Sequence, residues 1–83
     1  MDIEKYRIEI NQIDLDLLKL LNRRAELAYE IGQQKIKNGL PVYVPEREQS
    51  VFSRLVEKNT GPIDDEGIKN IFERIMEVCR QIQ

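Results

Sequence analysis

Residues 2–39 read DIEKYRIEINQIDLDLLKLLNRRAELAYEIGQQKIKNG, an unbroken stretch in which Gly32 is the only helix-weakening residue before the closing Gly39. Within it Ile3, Tyr6, Ile10, Ile13, Leu17, Leu20, Leu27 and Ile31 alternate three and four apart, which is the spacing of a helix-pairing seam. Asp2 suits the N-cap, and Gly39 with Pro41 behind it suits the stop. One helix of about 36 residues spans on the order of 54 Å. A compact chain of 83 residues has a radius of gyration of about 12 Å and a body roughly 30 Å across. The helix outruns the body, so its seam needs a cover from outside. So small a chain also buries only roughly 60% of the surface it exposes unfolded and is marginal alone. Both arguments lead to an intertwined homodimer built around paired long helices.

Outward from this stretch, glycine and proline fall together at Asn38-Gly39-Leu40-Pro41, with Pro45 following, and at Thr60-Gly61-Pro62. They divide the chain into three segments, each with helical periodicity. The second helix opens at Pro45, a favoured first position, and ends near Asn59, with Val51, Leu55 and Val56 inward. The third starts at Asp64 or Asp65 and runs to the end, gathering Ile68, Ile71, Phe72, Ile75, Met76 and Cys79 on one apolar face. The expected fold is all-α, three helices in one domain over residues 1–83.

Composition removes several functions. Charged residues make up 34% against 41% apolar, and no apolar run approaches the length of a membrane span. The acidic N-terminal MDIEKYRIEI is not a signal peptide, which makes the cytosol the default compartment. One cysteine and no histidine leave little material for a zinc site or a histidine-based triad. A net charge of −2 and a pI near 5.2 supply no basic field, so nucleic acid is not the expected partner. Basic residues that matter must act locally.

Two of them break the seam. Four residues beyond Leu20 stands Arg24, and four beyond Ile31 stands Lys35, both at positions the periodicity turns inward. A buried cation needs a carboxylate from the protein or an anion from outside. An internal ion pair satisfies either one alone. Two cations eleven residues apart, facing within about 20° of each other and about 16 Å apart along the axis, can instead close on one small anion. Arg47 in the Pro45-Glu46-Arg47-Glu48 turn is a cation at a helix N-terminus, where the dipole disfavours it by a few tenths of a kcal/mol. Cys79 and Gln83 share a face of the third helix, and taken alone they are a small core residue and a polar end. Arg7 flanks the seam. It lies about 25 Å from Arg24 along the helix, so one chain cannot bring both to a small ligand, whereas two antiparallel chains can.

Arg7-x6-Asp14, the run LLxLLNRRAELAxEIGxxK ending at Lys35, then PVYVPERE and GPIDDEGIKNIFERIMEVCRQIQ resemble the all-helical class of chorismate mutases over essentially the whole chain. The resemblance implies an intertwined helical dimer with two composite sites that converts chorismate to prephenate without a cofactor, on the route to phenylalanine and tyrosine. It implies that Arg7 of one chain and Arg24 of the other clamp the substrate's carboxylates. By the same resemblance Lys35 would reach a carboxylate and the ether oxygen, and Gln83 would donate a second hydrogen bond to that oxygen. It further implies that Glu48 and the backbone N–H of Val44 hold the ring hydroxyl, while Arg47 helps orient the carboxylate end and Glu48. Cys79 takes the place of the family's usual serine near the ring carboxylate.

Guanidinium forks suit a dianion, and an intramolecular rearrangement needs positioning and aimed donors rather than a nucleophile or a proton carrier. Two positions depart from the family pattern. Val44 replaces a frequent aspartate, which matters little if the backbone makes the contact, and Cys79 is a weaker donor than serine. Gln83 is the last residue and is expected to fray. Relatives often carry such a segment fused to prephenate dehydratase or to the first shikimate-pathway enzyme. A regulatory module of a larger enzyme, binding chorismate or prephenate, is therefore an alternative, and a plain dimerisation module is the non-catalytic one.

Overall fold

The computed structural model describes residues 2–83. Three helices follow one another: α1 (Ile3–Asn38), α2 (Pro45–Lys58) and α3 (Asp65–Ile82). The Asp2 carboxylate caps α1 by accepting from the Lys5 N–H at 3.0 Å. At the other end Gly39 adopts the left-handed conformation, φ 66°. Its N–H bonds to the Ile36 carbonyl while the Leu40 N–H bonds to that of Lys35, a Schellman closure that a side chain with a Cβ would strain. Pro45 opens α2 at a position where its missing N–H costs nothing. The Asp64 carboxylate caps α3 through the Gly67 N–H at 2.7 Å.

The end of α3 lies against the C-terminal half of α1, and α2 runs antiparallel along α3, with Glu48 near its start touching Arg80 near the end of α3. No packing joins α1 to α2 directly. α3 therefore acts as a spacer, and the gap it leaves between α1 and α2 becomes a cleft. The core of the chain is thin. Ala28, Gly32, Met76 and Cys79 are its buried residues among those described. Ala28 and Gly32 are one helical turn apart, and their small size lets the end of α3 approach closely. A Cβ on Gly32 would stand 2.8 Å from the Gln83 Cα, so the residue that weakens the helix in sequence terms is required by the packing.

The molecule measures 57 × 24 × 16 Å with a radius of gyration of 15.9 Å, well above the roughly 12 Å of a compact chain this size. Its length is that of α1, whose N-terminal half is exposed and packs on neither α2 nor α3. Every seam residue from Ile3 to Leu20 is exposed.

The expected inner face of α3 needs one correction. Ile68, Phe72 and Ile75 are half-buried and Met76 and Cys79 buried, but Ile71 is 49% exposed. It sits about 80° around the helix from Cys79, on a flank with Val78 and Ile82, which are exposed too. On α2, Phe52 joins Val51, Leu55 and Val56 among the half-buried residues. No helix among the described residues is long and apolar enough to cross a membrane.

Candidate active site

The cleft between the three helices has a volume of about 450 Å³. Arg24 and Lys35 enter it from α1, Val44 from the loop, Arg47 and Glu48 from the first turn of α2, and Cys79 and Gln83 from the end of α3. Leu27, Ala28, Ile31, Val51 and Met76 supply apolar walls. Helical periodicity explains the α1 contribution, because residues 24, 27, 28, 31 and 35 repeat at steps of three and four and so share one face.

Lys35 donates to the Val42 carbonyl at 2.8 Å and to the Gln83 side-chain oxygen at 3.0 Å. These bonds tie α1 to the loop and to α3. They also orient the Gln83 amide, whose NH2 group has no acceptor among the described residues. The Gln83 backbone N–H bonds to the Cys79 carbonyl and closes the last turn of α3.

No carboxylate lies within ion-pair distance of Lys35, Arg24 or Arg47 among the described residues. Within the chain, then, no ion pair among the described residues accounts for the two seam cations. The cleft's one carboxylate, Glu48, accepts instead from Arg80, which also lines the cleft. The expected companion of Glu48 was Arg47. On a helix, neighbours in sequence point about 100° apart and do not face each other, whereas Arg80 approaches from α3 across the gap.

Arg80 is thus the site residue without a role in the sequence argument, although it stands inside the Cys79-Arg80-x-x-Gln83 motif. Its guanidinium sits 4.8 Å from the centroid of the Tyr43 ring. The hydrogen bond to Glu48, then the charges around it, hold its pKa above the ordinary arginine value. Four cations against one carboxylate make the cleft a local positive field in a chain of net charge −2. Arg7 is elsewhere. It lies near the start of α1, exposed and paired with Glu4 at 2.8 Å. Among the described residues no three Cys, Asp or Glu side chains gather as a metal would require.

Fold and cleft together define an all-helical protein with a pocket lined by four cationic side chains and one carboxylate side chain. The family model of chorismate mutase type II matches residues 6–83, and the chain belongs to that family. Its relatives include the bifunctional chorismate mutase/prephenate dehydratase of Aquifex aeolicus, 36% identical over 99% of this chain and 24% of that protein. The chain thus spans about a quarter of that relative's length. Among solved structures, chorismate mutase (form II) of Thermus thermophilus superposes with a TM-score of 0.96 at 33% identity, covering 98% of this chain and 92% of that one. The Helicobacter pylori chorismate mutase in complex with prephenate gives a TM-score of 0.87 at 30% identity over 96% of this chain and 87% of that one.

Proposed function

We propose that this chain, residues 1–83 as one domain, is a cytosolic chorismate mutase acting as a homodimer with two composite sites. The observation that carries this is the meeting of Arg24, Lys35 and Gln83 in one cleft with no carboxylate neutralising the cations. The complex of the Helicobacter pylori relative with prephenate supplies the matching ligand chemistry, a dicarboxylate of similar size.

In the reaction the ether C–O bond of chorismate breaks as a C–C bond forms across the same molecule. Electrons move in a ring, and no proton, electron or group is exchanged with the enzyme. Two contributions then matter. The first is holding the enolpyruvyl arm over the ring in a chair-like geometry, which is worth on the order of 7–11 kcal/mol when reacting atoms are held in near-attack geometry. The second is a pair of donors aimed at the ether oxygen, which gains negative charge, each worth about 3 to 4 kcal/mol. Together they reach the scale of enzymatic acceleration, which begins near roughly 8 kcal/mol.

Arg24 holds one substrate carboxylate by its guanidinium fork. The partner subunit's Arg7 approaches the other, since Arg7 and Arg24 of one helix are about 25 Å apart and only an antiparallel partner closes that distance. The exposed seam from Ile3 to Leu20 is the surface on which such a partner fits. Lys35 and the Gln83 amide NH2 converge on the ether oxygen. Glu48 and the Val44 N–H take the ring hydroxyl, Arg47 orients the carboxylate end, and Cys79 approaches the ring carboxylate.

The fused relatives favour a second reading, in which the same fold serves as a chorismate- or prephenate-binding module within a larger enzyme. A timed incubation of the purified chain with chorismate separates the two. Conversion to prephenate by the wild type, lost in Lys35→Ala, is the expected result. Binding of prephenate without turnover supports the module, and neither binding nor turnover removes both.

A further inference from the structure

Arg80 makes the one ion pair that joins two helices among the described residues, and it does so inside the cleft. The other ion pairs link residues three apart on exposed helix surface. Surface pairs of that kind contribute little, but Arg80 and Glu48 are 31% and 21% exposed, and their geometry is enforced from both sides. The Tyr43 ring covers the guanidinium, so its planar fork is held against the loop while its NH1 group reaches α2. An ionised carboxylate has about four acceptor positions. Arg80 occupies one, which leaves Glu48 acceptor capacity facing the cleft.

Without Arg80, Glu48 would be a flexible anion in the cleft that Arg24 and Lys35 also line. Swinging onto either would neutralise the cations that a dianionic substrate needs. We propose that Arg80 is a positioning residue: it holds Glu48 aimed at the substrate's ring hydroxyl and away from Arg24 and Lys35, with Tyr43 fixing the guanidinium. This role rests on the chorismate mutase assignment. A hydroxyl bound by Glu48 is held in both ground and transition states, so its loss raises KM more than it lowers kcat.

The test is steady-state kinetics with chorismate on wild type, Arg80→Met, Arg80→Lys, Glu48→Gln and the Glu48→Gln/Arg80→Met double variant, with thermal unfolding of each. Arg80→Met is expected to raise KM roughly tenfold with kcat within about threefold, and Arg80→Lys to recover most of the difference. In the Glu48→Gln background, where no anion remains to be aimed, Arg80→Met should change KM by less than about twofold. Lower kcat and Tm at unchanged KM would reduce Arg80 to a structural strut. An equal rise in KM in both backgrounds would mean that Arg80 touches the substrate itself, and either result overturns the proposal. Should Arg80→Met not fold, Arg80→Gln, uncharged but still a donor, carries the same comparison. A wild type that does not convert chorismate overturns the reaction itself, a result separate from any outcome among the variants.

Discussion

Lys35 uses two of its three N–H donors on the Val42 carbonyl and the Gln83 amide oxygen, which leaves the third without an acceptor among the described residues. Removing the ammonium takes away an aimed donor and releases Gln83 with it. Lys35→Ala is therefore expected to lose about 3 kcal/mol or more of transition-state stabilisation, a drop in kcat/KM beyond roughly a hundredfold, measured by prephenate formation. Cys79 presents the opposite case. It is buried and lines the cleft, and a hydroxyl there is a better donor to a carboxylate than a thiol. Cys79→Ser should keep or improve kcat/KM; a large loss would give the thiol a part that its weak hydrogen bonding does not explain. At this scale the sequence was informative wherever a residue broke a pattern. Arg24 and Lys35 stand out because they occupy apolar positions of a seam. Arg80 does not stand out, because a cation in the last turn of a helix is where the dipole favours one, and its tie to Glu48 spans 32 positions.

Among the elements, α3 does the most to build the site, because it separates α1 from α2 and carries Cys79, Arg80 and Gln83 into the gap. The residue that follows it, Gln83, lies tight against α1 at Gly32, where a Cβ would meet the Gln83 Cα at 2.8 Å and its Cβ at 2.9 Å. Gly32→Ala sets two effects against each other. Alanine favours a helix interior by about 1 kcal/mol over glycine, but the end of α3 must move away. Gln83 lies beyond the last turn and can move, so Tm should shift little while kcat/KM falls roughly tenfold as the Gln83 amide leaves its aim. A stable variant with full activity would show that the amide is not needed at that position. The element boundaries were legible in sequence because each end carries its own local chemistry: Asp2 and Asp64 as caps, Pro45 at a first position, Gly39 at a left-handed stop. The inner face of α3 was less legible. Ile71 fits the apolar period as well as Phe72 does, and only the direction of approach of α1 and α2 sets it apart.

For the molecule as a whole, a 57 Å body whose long helix is half bare is the source of the dimer proposal. If Arg7 of one chain meets the stretch between Arg24 and Lys35 of the other, the helices cross near Leu17 and Leu20, midway between. Leu17→Asp would then set two carboxylates against each other across the seam. It is expected to give monomers by sedimentation and to abolish turnover, and an active monomer would remove the composite site. A mixing experiment is more direct. Arg7→Ala and Lys35→Ala should each be nearly inactive, yet chains exchanged between them should recover about a quarter of wild-type activity, since half the dimers are mixed and each has one intact site.

From the sequence alone came the three helices, their ends and the bare seam, because caps, breakers and periodicity act over a few neighbouring positions; of the cleft residues, broken local patterns singled out Arg24, Lys35 and Arg47, while Val44, Glu48, Cys79 and Gln83 came through the family resemblance. Tertiary structure alone decided that Lys35 is tied to Gln83, that Glu48 is held by Arg80 rather than by Arg47, and that Gly32 is required for close packing. Those outcomes depend on how α3 lies across two other helices, and the distance between side chains brought together from separate helices is not encoded in the spacing along any one of them.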